Sequence, residues 1–154
     1  MRIERDARLI DQIKRHEGLR LRAYRCPAGK LTIGWGHNLT DNPVWGLQKG
    51  DKISQTTAER LLTDDIYAAA RQLDERLTFW RTLDAPRQAV LLNMAFQLGI
   101  GGLCGFLRAL HAIELSDWDG AAAHMLDSKW AREDSPNRAQ ELARQMQTGE
   151  WQEA

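Results

Sequence analysis

The sequence predicts an α+β chain, mostly helical, with a small β-hairpin lobe near the N-terminus, a helical lobe after it, and one long helix joining them. Three stretches carry this expectation. In residues 19–36, Leu19, Leu21 and Ala23 alternate with Arg20, Arg22 and Arg25, then a Cys-Pro-Ala-Gly turn leads into a short return strand. In residues 54–77, Ala58, Leu61, Leu62, Ile66, Ala69, Ala70, Leu73 and Leu77 recur at helical spacing over about 23 residues. Residues 89–98 are apolar on nearly every face, as in a helix buried at the centre of a lobe.

Taken in order, Ile3, Ala7, Ile10 and Ile13 set a first helix over about residues 3–17, and Glu17 is the next member of that apolar series. Gly18 reads as the helix stop. Pro27 and Gly29 supply the preset and positive φ of the hairpin turn. Gly34 and Gly36 bracket Trp35 and let the chain bend out of the sheet. Residues 37–52 read as a loop rich in Asn, Asp, Gly and Pro, with Trp45 as its expected anchor. Ser54 reads as the N-cap of the long helix, which would span roughly 35 Å. His37 is a candidate partner for Asp64 or Asp65 on that helix.

Residues 78–82 form a connector holding Phe79 and Trp80. Asp84 caps the buried helix and Pro86 is tolerated in its first turn. Gly99, Gly101 and Gly102 should end that helix. Short helices follow over about 106–114, 118–127 and 136–146, with Asp117 and Ser135 as expected caps. A single domain over residues 1–154 is expected: one lobe over about 14–54, the joining helix over about 55–77, and a second lobe over about 78–154 on which the first helix packs.

The chemistry concentrates in His16 to His37. A carboxylate at position 17 sits on an apolar face and at the negative end of a helix dipole. Both effects favour its protonated form, as a general acid requires. The hairpin can bring Cys26 and Thr32 toward the same space. Composition names no partner: the 21 basic and 21 acidic residues cancel. Residues 1–30 nevertheless carry nine Lys/Arg against four Asp/Glu, a local excess that suits an anionic polymer.

Glu, eight residues, Asp or Cys, five residues, Thr is the catalytic pattern of the phage-type lysozymes, the T4 lysozyme-like endolysins. Here it reads Glu17, Cys26, Thr32, and this chain resembles that family. EGLRL, Tyr24 and TIGWGH extend the resemblance. It resumes at LDAPRQAVLLNMAFQLG, at GFLRAL, and at SKWAREDSPNRAQEL followed by TGEW. Residues 42–52 look shorter than in the T4-type member, which also carries Asp where Cys26 stands.

The resemblance implies a lysozyme-like fold with a cleft between its lobes. It implies an endolysin that hydrolyses the β-1,4 bond between N-acetylmuramic acid and N-acetylglucosamine in peptidoglycan and so lyses the host cell. It points to Phe96, Gln97, Ser128, Trp130, Asn137 and Arg138 as the opposite, substrate-binding wall. Gln97 and Asn137 suit sugar hydroxyls and N-acetyl groups. Trp130 could offer a ring face to a sugar or pack in the core, and Phe96 likewise. Arg138 could pair with Glu17.

In such a scheme Glu17 is the acid, and Thr32 holds a water on the opposite face of the sugar. Cys26 activates that water, or attacks as a nucleophile with retention. A thiol is mostly protonated near neutrality unless Arg22, Arg25 and Lys30 lower it. A non-catalytic peptidoglycan-binding protein and a lytic transglycosylase on the same scaffold are the competing readings. Nucleic-acid binding is disfavoured, because only Tyr24 interleaves the basic residues.

Two cysteines and four histidines without ligand spacing give no metal site, no cofactor and no disulfide framework. The N-terminus has no apolar run long enough for a signal peptide or membrane span. A monomer is expected, held in the host cytoplasm until a holin-type membrane pore releases it to the periplasmic wall.

Overall fold

The computed structural model describes residues 2–153. As expected, the chain is mostly helical, with a small sheet near its N-terminus. The first helical segment is divided. Ile3–Arg5 forms a 3-10 turn, and α1 then runs Ala7–Glu17. The break falls at Asp6, whose carboxylate accepts the Arg8 backbone N–H at 2.9 Å and so starts a new helix. Leu9 and Ile13 carry the buried face.

The sheet has three antiparallel strands in the order β1 (Arg20–Arg25), β2 (Leu31–Gly34), β3 (His37–Asn38). The hairpin therefore extends by one strand beyond Gly36, and Thr32 pairs with Tyr24 on one side and Asn38 on the other. Residues 50–53 run along the free edge of β1 through Gly50, Asp51 and Ile53 backbone bonds to Ala23 and Leu21. Trp45 does not anchor the loop: it is 90% exposed at a turn tip with φ +40. Val44 and Leu47 flank it and pack instead on a small core of Ala23, Ile33, Leu39 and Leu61. A two-residue turn with positive φ at both Trp45 and Gly46 points its first side chain outward, and aromatic content in the sequence says nothing of that.

α2 runs Gln55–Arg76, about 33 Å at 1.5 Å per residue. Ser54 caps it, accepting the Thr57 N–H at 3.1 Å. Its apolar stripe divides between the two cores: Leu61 joins the small one, and Leu62, Ile66, Ala70 and Leu73 join the main one. Beyond it Trp80 is fully buried and donates its indole N–H to Asp74 at 2.8 Å.

α3 runs Ala85–Cys104 and buries Ala89 to Ala95 without interruption. As expected, the helix breaks at the first of the glycines: Gly99 takes φ +74 and ψ 161, outside the helical region, and a second short helical piece follows across this kink to Cys104. α4 (Leu107–Glu114), α5 (Trp118–Leu126) and α6 (Pro136–Thr148) complete the helical lobe, with a five-residue π turn at Trp130–Asp134 before α6. Asp117 caps α5, accepting the Gly120 N–H at 3.0 Å. Ser135 does not cap α6, because its hydroxyl accepts from Gln97 instead. Among the described residues no single helix is long and apolar enough to cross a membrane.

Candidate active site

Glu17 is the last residue of α1. Gly18 closes the helix with its N–H on Lys14 O at 2.9 Å, and its φ of +71 turns the chain directly into the sheet. Three elements then meet at the Glu17 carboxylate. From α6, Arg138 donates Nη1–H to Oε2 at 2.5 Å. From the β2–β3 turn, Gly36 lies so close that a Cβ there would overlap Oε1 and stand 3.1 Å from Cδ. Only glycine at 36 leaves room for this carboxylate. Trp35, the preceding residue, is buried in the main core beneath Lys14, whose Nζ lies 4.6 Å from its ring centroid. That packing fixes the turn against α1.

Arg138 is itself buried and held by a second layer. Its Nε–H and Nη2–H both donate to Asn93 Oδ1, at 3.0 and 2.7 Å. Asn93 has no solvent exposure and donates Nδ2–H to His16 Nδ1 at 3.2 Å. His16 Nε2 lies 3.1 Å from Glu141 Oε2, and Arg15 binds both oxygens of Glu141 at 2.7 and 2.8 Å. Burial pushes the Glu141 carboxyl up, but Arg15, His16 and Gln12 outweigh it and hold the group far below the usual carboxylate range. For Arg138, burial is the leading effect and moves the guanidinium below its ordinary value, with Glu17 opposing it.

Cys26 stands at the start of the hairpin turn. Its N–H bonds Lys30 O at 2.9 Å and its carbonyl accepts Gly29 N–H at 2.8 Å, with Gly29 at φ +81. Cys26 is a free thiol, as is Cys104. Burial pushes the Cys26 thiol up; hydrogen bonding from the turn backbone around Lys30 and Ala28 and from the Thr32 side chain outweighs it, so the net shift is downward. Thr32 is buried and donates its hydroxyl to Lys30 O at 3.0 Å. The thiol is thus tuned by its own turn rather than by Arg22 or Arg25, whose guanidinium groups turn to Gly50 O and Gly29 O.

The remaining candidates lie on the helical lobe. Gln97 is engaged at both ends, donating to Ser135 Oγ at 2.7 Å and accepting the Trp130 indole N–H at 3.0 Å. Trp130 is 3% exposed and meets Phe106 edge-on at 5.7 Å, so its ring faces are packed by protein. Phe96 is half-buried against the main core. Ser128 donates to Met125 O and accepts the Ala131 N–H. Ser128 and Trp130 line a pocket of about 650 Å³ with Leu98, Phe106, Arg108 and His124, which Glu17 does not reach. Asn137 is exposed beside Arg138 at the start of α6.

His37 does pair with α2, its Nδ1 2.8 Å from Asp65 Oδ2 and its Nε2 2.9 Å from Asn42 O. Burial pulls its pKa down, and Asp65 with the Asn42 carbonyl more than reverses this, leaving it raised.

Sequence reasoning passed over Asn93, His16, Glu141 and the steric role of Gly36. One signal was present: Asn93 is the only polar residue between Ala89 and Phe96.

A carboxylate is thus seated between a helix end, a glycine turn and a buried arginine, with a free thiol on the hairpin that follows. Residues 14–148 match the phage lysozyme family, so the chain belongs to it and takes the T4 lysozyme-like fold as a lysozyme-like, peptidoglycan-acting enzyme. Among its relatives, probable T4-type lysozyme 1 of Dictyostelium discoideum is 28% identical over 90% of this chain and 93% of its own length. An endolysin of Acyrthosiphon pisum secondary endosymbiont phage 1 is 33% identical over 78% of this chain and 75% of its own. The pre-baseplate central spike protein Gp5 of Enterobacteria phage T4 is 30% identical over 79% of this chain, which there matches 24% of a longer protein.

Proposed function

We propose that this enzyme is an endolysin that hydrolyses the β-1,4 bond between N-acetylmuramic acid and N-acetylglucosamine in bacterial peptidoglycan. The observation that carries this reading is the Glu17 carboxylate, held by Arg138 and Gly36 beside a hairpin that bears Cys26 and Thr32. Glycoside hydrolysis needs a proton for the leaving oxygen and an activated water on the opposite face of the sugar. Glu17 gives its proton to the glycosidic oxygen as the C–O bond breaks. Water adds through its oxygen to the anomeric carbon, oriented by Thr32, and its proton passes to the Cys26 thiolate. The proton then returns to Glu17 through solvent, and the anomeric configuration inverts. The downward shift of the Cys26 thiol supports its part as proton acceptor.

Exposed Asn137 suits N-acetyl groups and sugar hydroxyls, while Gln97, Ser128, Trp130 and Phe96 shape the wall behind them. The protein acts as a monomer on the periplasmic wall, kept in the host cytoplasm until a holin-type pore opens.

The test is product analysis by mass spectrometry and anomeric NMR after digestion of purified peptidoglycan. Reducing N-acetylmuramic acid ends with inverted configuration are expected, and Glu17→Gln should abolish them while the protein stays folded. Anhydro sugar ends would identify a transglycosylase, retention would make Cys26 the nucleophile, and an unaltered polymer would leave only a wall-binding protein.

A further inference from the structure

We propose that His16 is a positioning residue for Glu17: as the neutral Nε2–H tautomer it fixes the Asn93 amide that holds Arg138 against the acid. The inference rests on the function proposed above for its kinetic part only. It starts from donors and acceptors. A guanidinium has no acceptor. Two of its N–H groups meet Asn93 at a single atom, at 3.0 and 2.7 Å, and that atom must be the carbonyl oxygen. The amide orientation is then settled, and its NH2 end faces His16 Nδ1 at 3.2 Å.

An amide NH2 in this position can only donate, so Nδ1 accepts and carries no proton. The ring proton of neutral His16 belongs on Nε2, which faces Glu141 Oε2 at 3.1 Å. That contact falls short of an aligned hydrogen bond, so its pull is electrostatic. Asn93 is fully buried and the His16 side chain is 7% exposed, which leaves water little access to replace either link.

Around the ring stand Arg15 and Glu17 on α1, Arg138 and Glu141 on α6, and neutral Asn93 on α3. The Asn93 NH2 leaves no room for a proton on Nδ1. An imidazolium would set Nδ1–H against the amide NH2. The amide would have to turn, and its oxygen would leave Arg138. A proton on Nδ1 is therefore incompatible with the clamp on Glu17.

The experiment has two arms. The first reads the tautomer directly by 15N-resolved NMR of the imidazole in the wild-type protein at neutral pH. Expected is an unprotonated Nδ1 and a protonated Nε2; the opposite tautomer overturns the proposal. The second compares His16→Asn with His16→Gln on peptidoglycan. Asn places its side-chain oxygen where Nδ1 stands and keeps the acceptor for Asn93. Gln reaches instead toward Glu141. His16→Asn should keep kcat within about threefold. His16→Gln should lower kcat about tenfold with KM unchanged, the effect of one unmade support for a charged group. Equal kcat in the two variants overturns the proposal. The tautomer needs neither a variant nor turnover. A protein that yields no hydrolytic product refutes the function proposed above, while a proton on Nδ1 refutes this inference alone.

Discussion

Replacing Gly36 by alanine tests the seat of the acid. Two costs are separable. Gly36 has φ +73, and an L side chain in the left-handed region costs about 1–2 kcal/mol. The new Cβ would also overlap Glu17 Oε1, so the carboxylate must withdraw by roughly 1 Å to regain van der Waals distance. Arg138 grips the same carboxylate from the other side, so the withdrawal strains or breaks that pair. A displacement of about 1 Å at a reacting group is worth about 100-fold in rate. Gly50→Ala is the control. It carries the same kind of backbone penalty at φ +90, with no atom within 4 Å of its Cβ. Gly50→Ala should lose about 1–2 kcal/mol, or a Tm drop of roughly 2–8 °C for a chain of this size, and Gly36→Ala at least as much, because it also strains the Glu17–Arg138 pair. Only Gly36→Ala should lose about 100-fold in the clearing of permeabilised Gram-negative cells. Equal activity in the two variants would refute the claim that Gly36 seats Glu17.

Three further expectations follow from the same geometry. Alkylation of Cys26 should proceed with a pH midpoint below that of an ordinary thiol and should stop catalysis, with Cys104→Ala as the background; full activity of the alkylated enzyme would remove sulfur from the mechanism. His37 has a raised pKa, so its link to Asp65 adds stability fully below the unfolded value of about 6.5 and loses it as pH rises through the folded value. Asp65→Asn should cost about 1–3 kcal/mol in urea denaturation at pH 5.5 and less at pH 9, and a cost that grew with pH would contradict the pairing. Arg81 binds Glu4, whose side chain is 1% exposed, at 2.6 Å, and holds its carboxyl below the usual range against the upward push of burial. Arg81→Ala leaves that buried carboxylate with Arg2 alone, 3.1 Å away, and should cost about 1–3 kcal/mol by thermal or urea melting, whereas no measurable loss would show that Arg2 is sufficient to hold Glu4.

The elements were legible wherever a local pattern has one physical solution. The α2 stripe, its Ser54 cap and the Pro27–Gly29 turn each follow from periodicity or φ preference within a few residues. The spacing of Glu17, Cys26 and Thr32 likewise sits within one short stretch, so the family pattern is legible along the chain itself. The misses share a different cause. Trp45 reads as a core residue by its chemistry, yet the backbone at positions 45 and 46 aims it outward. Ser135 reads as a cap, but its hydroxyl answers Gln97 from a helix 38 residues earlier.

The sequence alone was enough for the helices, the hairpin and the three candidate catalytic side chains, because these depend on neighbours along the chain. The Arg138 partner of Glu17 was anticipated from the family resemblance; folding decided the rest of what surrounds the acid. Glu17, Arg138, Asn93, His16 and Glu141 come from α1, α3 and α6, and Gly36 from a turn between strands. Donor–acceptor matching and steric room are properties of atoms a few ångströms apart. No pattern along a single chain encodes which distant helices will supply them.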